Sequence, residues 1–222
     1  MKYLIISDVH IGDPNFKHFP EVGYVLSTVD ADVLVLAGDI FDFVKQPEIG
    51  YEHVAFMRMT SRFERKIFLV GNHEMEPRVS WIDFIGSFGF EIREELTFTS
   101  GDKVIKVCHG HKFDRIAFRF PWLSRWIIKL QAFIDRLFHC NIQSFVRRLY
   151  YSDDFLTSIE RRAFNAGRNM CDVFIIGHVH KPGLKRHKGF TYVNSGDWVE
   201  HDSYVVIEDG SVQLRFASRD GS

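Results

Sequence analysis

The stretch Val33-Leu34-Val35-Leu36-Ala37-Gly38-Asp39-Ile40-Phe41-Asp42 decides the reading of this chain. Its first five residues are all apolar, which predicts a short strand buried on both faces. Such a strand runs straight into two carboxylates only where something at its end needs them. Gly38 lets the backbone turn, Asp39 leaves the carboxyl end of the strand, and Asp42 follows three residues on. In an open α/β sheet, ligands bind at that edge. One aspartate after a strand is common, and the signal lies in four other segments that end the same way.

Working outward, Tyr3–Ser7 reads as a buried strand ending in Asp8-Val9-His10. Residues two apart in extended chain face the same way, so Asp8 and His10 are expected to converge. The strand Ile67–Val70 ends in Gly71-Asn72-His73-Glu74, and Lys103–Val107 ends in Cys108-His109-Gly110-His111. The strand Asp172–Ile176 ends in Gly177-His178-Val179-His180. Helices are predicted over 20–30, about 47–65, around Trp81, Phe84, Ile85 and Phe88, and over 154–168. A weaker strand lies near Leu96–Phe98. Thr191–Asn194 and Ser203–Ile207 read as strands flanking Ser195-Gly196-Asp197-Trp198, which is either a pocket lining or a tight turn with a core tryptophan. There is no internal repeat and no low-complexity linker.

Composition narrows the class. At 222 residues the chain is long enough for one large domain with a substantial core. Its 28 basic and 29 acidic residues give a formal charge of −1, so whole-molecule charge does not point to nucleic acid. Cys108, Cys140 and Cys171 are scattered, without CxxC spacing, which fits a reducing compartment. The N-terminal segment is too short and too soon acidic for a signal peptide, and no apolar run approaches the roughly 18 residues of a membrane span. The expectation is a cytoplasmic protein that can touch a membrane surface.

The residue types at the strand ends carry the chemistry. Taken singly, Gly-Asn and Gly-Asp are ordinary turns and a lone histidine is an ordinary polar residue. Taken together, carboxylate, imidazole and amide-oxygen donors suit divalent Mn, Fe, Co, Ni or Zn, whereas oxygen-only sets suit Mg or Ca. There are too many donors for one tetrahedral zinc, and no thiolate cluster. Two cations about 3.5–4 Å apart, sharing a bridging carboxylate, clamp both oxygens of an in-line phosphoryl displacement. Two such ions bring more charge than Asp8 and Asp39 neutralise, and the remainder attracts phosphate and activates water.

These motifs, in this order, resemble the calcineurin-like metallophosphoesterase signature: Asp8-x-His10, Gly38-Asp39-x-x-Asp42, Gly71-Asn72-His73-Glu74, His109 and Gly177-His178-x-His180. The resemblance spans nearly the whole chain. It implies an α/β fold, a four-layer αββα sandwich of two mixed sheets flanked by helices. It implies one domain over 1–222, with a helical cap insertion over about 112–171. Asp8, His10, Asp39 and His180 would hold one divalent ion; Asp39, Asn72, His109 and His178 would hold the other, with Asp39 as the bridge. Manganese comes first among the metals, with Fe, Zn, Co or Ni behind it. His73 would sit over the phosphoryl group, and Asp42 would orient His73. Glu74 stands where the family often has Asp and is given no catalytic role.

The C-terminal half is similar to the UDP-2,3-diacylglucosamine pyrophosphatase group and its relatives, through His109-Gly110-His111-Lys112-Phe113-Asp114, Gly177-His178-Val179-His180 and Tyr192–Glu200. The lipid A enzymes of that group usually carry Asn-Arg-Asp-Phe where this chain has Asn72-His73-Glu74-Met75, so His73 sets it with the relatives. His111 stands where those relatives often have Asp and receives no role. Between His111 and Asp172 there are eleven Lys and Arg against five Asp and Glu, while the rest of the chain is net acidic. Trp122, Trp126, Leu130, Phe133 and Leu137 follow helical spacing, with Arg125, Lys129 and Arg136 along the flank. That is the layout of a lid over an amphiphilic anion, or of a helix in a headgroup layer. Equally, it is the layout of a packed cap whose aromatics meet the helix over 154–168.

The leading expectation is therefore a di-metal phosphoesterase or pyrophosphatase acting on a lipid-linked nucleotide sugar such as UDP-2,3-diacylglucosamine, peripheral to the membrane. The alternatives are a general phosphomonoesterase or phosphodiesterase, and a non-catalytic scaffold on the same fold. A scaffold should lose ligands or the histidine at position 73, and this chain keeps them. Nucleic acid is not an expected partner, because the basic charge of the insertion lies beside a strongly apolar stripe.

Overall fold

The computed structural model describes residues 1–14, 16–75, 80–138 and 153–217. Apolar alternation sorts the strands into layers. Tyr3 and Ile5 of β1 (Lys2–Ile6), Val33 and Val35 of β2 (Val33–Leu36), and Ile67 and Leu69 of β3 (Arg65–Leu69) point one way. They meet Ile105, Val107, Val173, Ile175 and Val193 of a second sheet in a shared core. The alternate residues Leu4, Ile6, Leu34, Leu36 and Phe68 point the other way, as the two-residue repeat of a strand requires.

On that outer face lie α1 (Phe19–Thr28), α2 (Tyr51–Met59) and α3 (Trp81–Ser87), through Val22, Val25, Leu26, Phe56, Met57 and Ile85. The first sheet is completed by β4 (Glu91–Arg93), then β10 (Ser203–Glu208) and β11 (Ser211–Phe216), in the order β11-β10-β1-β2-β3-β4. The second sheet contains β5 (Glu95–Ser100), β6 (Lys103–Cys108), β7 (Val173–Ile176), β8 (Gly183–His187) and β9 (Phe190–Asn194), ordered β5-β6-β7-β9-β8. Both sheets are mixed: the second has a parallel centre and antiparallel edges, whereas the first is parallel from β1 to its edge strand β4 and antiparallel on the β10-β11 side. Between β6 and β7 the described residues add α4 (Arg115–Arg119), α5 (Pro121–Phe138) and α6 (Asp153–Gly167). Ile159 and Ala163 of α6 cover Phe174, Ile176 and Tyr192 on the outer face of the second sheet. The layers run helix, sheet, sheet, helix, as expected for an αββα sandwich.

Three strands were not anticipated, and one helix is shorter than predicted. The helix expected over 47–65 is α2 followed by a 3₁₀ turn at Thr60–Arg62, and β3 already begins at Arg65. Within α2, His53 packs against both Phe41 and Phe43, with ring centroids at 5.3 and 5.5 Å, and its Nδ1 accepts the Gly50 N–H at 3.2 Å. Burial pushes its pKa down to about 4. The unfolded chain therefore binds an extra proton between about 4 and the usual 6.5, so this contribution to stability is complete above that window and is lost as pH falls through it. The His53→Gln protein should show a flatter melting temperature against pH across that window than wild type; parallel profiles would refute the assignment.

Candidate metal centre and active site

Parallel pairing of β1 with β2 carries on past the strand ends. Asp8 N donates to Gly38 O at 3.0 Å, His10 N to Asp39 O at 3.0 Å, and Ile11 N to Ile40 O at 2.9 Å. The two loops thus bring Asp8, His10 and Asp39 together. Convergence of Asp8 and His10 does not come from extended backbone, as expected from spacing. Both are left-handed, with φ of 54° and 57°, and so are Asp39, His178 and His180 at 51°, 65° and 56°. Non-glycine residues held there cost of order 1–3 kcal/mol each, a strain that clusters at functional sites. Close packing adds a demand for glycine: a Cβ on Gly38 would lie 2.6 Å from the His109 ring, and one on Gly177 would lie 2.2 Å from Asp8 Oδ2.

Donor atoms within 4.8 Å of one another form three groups among the described residues: Asp8, His10 and His180; His10, Asp39 and His73; Asp39, His109 and His178. His180 Nε2 lies 3.2 Å from both Asp8 Oδ1 and His10 Nε2. His109 Nε2 lies 3.2 Å from both Asp39 Oδ2 and Asn72 Oδ1. Asp39 belongs to two groups, which is what a bridging carboxylate requires. Lone-pair donors from imidazole, carboxylate and amide oxygen crowd into two adjacent clusters, and this donor set fits two divalent cations. All seven sequence-predicted ligands, Asp8, His10, Asp39, Asn72, His109, His178 and His180, lie at this one edge.

His73 lies there as well, with Nε2 at 3.8 Å from Asp39 Oδ2 and Nδ1 at 2.9 Å from Asp42 Oδ1. Its backbone N–H donates to Asp39 Oδ1 at 2.9 Å. Asp42 is fully buried and also faces His10 Nδ1 and Lys45 Nζ, each at 3.7 Å; Lys45 pairs with the buried Asp13 at 2.7 Å. Burial pushes the Asp42 pKa up, but His73 and His10 outweigh it and hold the carboxyl well below its usual value. Burial pulls His73 down, and Asp42 and Asp39 more than reverse this, to about 9.

Glu74 and Asp197 are buried carboxylates to which the sequence assigns no role. Glu74 accepts backbone N–H groups from Asp39 and Gly71 at 2.9 Å and from Phe41 at 3.0 Å, tying the loops after β2 and β3 together. It has a positioning role that its place beside His73 alone did not reveal. Burial and the neighbouring Asp39 raise its pKa to about 7. Asp197 accepts from Val199 N at 2.7 Å, Glu200 N at 2.6 Å and His201 Nδ1 at 2.7 Å, and stands 3.9 Å from His180 Nδ1. Trp198 beside it is fully buried against Tyr204, so of the two readings of Ser195–Trp198 the turn with a core tryptophan is the one seen. Sequence offers one signal for Asp197, the Gly196-Asp197 turn after a strand.

At the insertion, Trp122, Trp126, Leu130 and Phe133 of α5 are 42% to 66% exposed. Arg125 Nη1 reaches Met75 O at 3.4 Å, joining α5 to the segment that carries Asn72 and His73. The side chains of Arg136 and Leu137, and Cys140, lie outside the described residues.

Two mixed sheets with this convergence of carboxylates and imidazoles at their strand ends define the class, a protein of the phosphoesterase fold. The model of the calcineurin-like phosphoesterase family matches residues 1–182, and the chain belongs to that family. It is 25% identical over 232 residues to the UDP-2,3-diacylglucosamine hydrolase of Neisseria gonorrhoeae, with 91% of each chain covered. The enzyme of that name in Neisseria meningitidis is 25% identical over 231 residues, again with 91% of each covered. Among solved structures, the fold is shared with the phosphoesterase Yfce from E. coli at a TM-score of 0.56 and 15% identity, over 100% of this chain and 96% of that one. It is shared also with an archaeal phosphodiesterase at 0.51 and 15%, over 97% and 99%. No helix among the described residues is long and apolar enough to cross a membrane.

Proposed function

We propose that this chain is a divalent-cation-dependent phosphoester or pyrophosphate hydrolase whose substrate is an amphiphilic, lipid-linked nucleotide diphosphate of the UDP-2,3-diacylglucosamine kind. Asp8, His10, Asp39 and His180 hold one cation; Asp39, Asn72, His109 and His178 hold the other. When bound, the cations neutralise phosphoryl charge and activate water, with manganese the first metal to try. The chain's own residues do the rest. His73 faces the phosphoryl group and gives a proton to the leaving oxygen, while Asp42, 2.9 Å behind it, fixes the ring.

The observation that carries the substrate reading is the exposed aromatic face of α5, joined through Arg125 to the segment after His73. Trp122, Trp126, Leu130 and Phe133 offer acyl chains an apolar surface, and Arg125 and Lys129 offer a headgroup layer or a diphosphate their charge. Each methylene buried there contributes about 0.8 kcal/mol. The two neisserial relatives named for this substrate support the same reading. A peripheral contact between α5 and the membrane follows from it.

Trp126 and Leu130 are exposed, so replacing both by Ser should leave the fold intact. The double variant should lose kcat/KM on the acylated UDP-sugar far more than on a soluble diphosphate or a nitrophenyl phosphate. An equal fall on both substrates would leave the insertion a structural cap and favour the general phosphoesterase alternative. No hydrolysis of either substrate by manganese-loaded wild type would favour the scaffold.

A further inference from the structure

Each histidine at the centre has an oxygen at its back. His109 Nδ1 lies 3.1 Å from Ala37 O, His10 Nδ1 lies 3.7 Å from Asp42 Oδ2, and His180 Nδ1 lies 3.9 Å from Asp197 Oδ2. In all three, Nε2 is the nitrogen turned into the cluster. His178 is the reverse. Its Nε2 lies 3.3 Å from Asp114 Oδ2, and Asp114 is in none of the three donor groups although its carboxylate is buried. An ionised carboxylate only accepts, so this contact calls for the proton on Nε2 and leaves the lone pair on Nδ1. The backbone of His178 is fixed as well, its N–H donating to both oxygens of Asp8 at 3.0 and 3.1 Å.

We propose that Asp114 is a positioning residue for the cation held by Asp39, Asn72 and His109: it fixes His178 in the Nε2-protonated form with Nδ1 facing that cation. This rests on the two-cation reading above. Partners of this kind orient a ligating imidazole and raise its basicity. Asp114 is also where the helical insertion begins. It follows the 3₁₀ turn His111–Phe113, its carbonyl accepts the Phe118 N–H of α4 at 2.9 Å, and the adjoining Phe113 carbonyl accepts Arg162 Nε of α6 at 2.8 Å. The residue that orients one ligand is thus seated by both sides of the insertion, and this ties the grip on the second cation to the docking of the cap.

The test is manganese binding by chelated, full-length protein, read by calorimetry and by the electron spin resonance of free Mn(II). Wild type should take up two ions. Asp114→Ala should bind one of them about 10–100-fold more weakly, with the other unchanged. Asp114→Asn, whose amide oxygen still accepts from Nε2–H, should lose less, and it stands alone if the alanine variant does not fold. Ring-nitrogen NMR of the metal-free proteins, at a pH well above the imidazole range, reads the tautomer. His178 should be Nε2-protonated in wild type and lose that bias in Asp114→Ala. Wild-type affinity for both ions in Asp114→Ala, equal weakening of both, or an Nδ1-protonated His178 in wild type overturns the proposal. Uptake of a single ion by wild type would instead overturn the two-cation reading, while the NMR arm still decides the role of Asp114.

Discussion

Replacing Asp39 by Asn should weaken both cation sites at once and lower turnover by more than the roughly 10–100-fold typical of losing a residue that merely supports a ligand. Asp39 is fully buried and belongs to two of the three donor groups, so its charge is felt on both sides. Burial raises its pKa, but His109 and His73 overcome this and hold it well below the usual carboxylate range. The amide keeps the size of the side chain and removes the charge, so the fold should survive. Elemental analysis after manganese reconstitution, paired with turnover, checks this. One tightly held ion in wild type with full activity, or two in Asp39→Asn, would contradict the bridging assignment.

His73→Gln should produce the second large loss, of a different kind. If His73 protonates the leaving oxygen, the catalytic rate falls by about 10²–10⁴-fold while both cations stay bound. The loss should be greatest for poor leaving groups such as alkoxides and smallest for nitrophenolate, which leaves without a proton. Geometry makes this a sharp test, because His73 also stands in a donor group with His10 and Asp39. The carboxylates of Asp42 and Asp39 raise the His73 pKa to about 9, and cation charge nearby opposes that pull. Loss of one ion in His73→Gln would make His73 a ligand instead.

The two variants separate the roles of residues on the neighbouring loops after β2 and β3. Asp39→Asn changes metal content and rate together, whereas His73→Gln changes rate alone. The distinction rests on Asp42, whose contact at 2.9 Å gives His73 a partner on the side away from Asp39.

The sequence by itself marked the strand ends where the candidate ligands gather, and the family resemblance of those motifs implied the layer order. Buried strands announce themselves as short apolar runs, and a run that stops at Asp, Asn or His marks the sheet edge where ligands bind. Asp8, His10, Asp39, Asn72, His109, His178 and His180 all lie in five such local motifs, and the family resemblance those motifs carry implies them as ligands. Two of the three unanticipated strands lack a clean apolar face: β8 reads Gly-Leu-Lys-Arg-His at a sheet edge, and β4 is only three residues long. Only the tertiary structure decided how the motifs meet. Asp8 and His10 converge through left-handed backbone, which residue spacing does not encode. Glu74 holds two loops by hydrogen bonds to backbone N–H groups of residues 3 to 35 positions away, and nothing in those residues' side chains foretells it. Asp114 and Asp197 back their histidines across separations of 64 and 17 residues. A side chain that acts by orienting another has no signature of its own in one dimension, because its partner is chosen by the packing of the sheets.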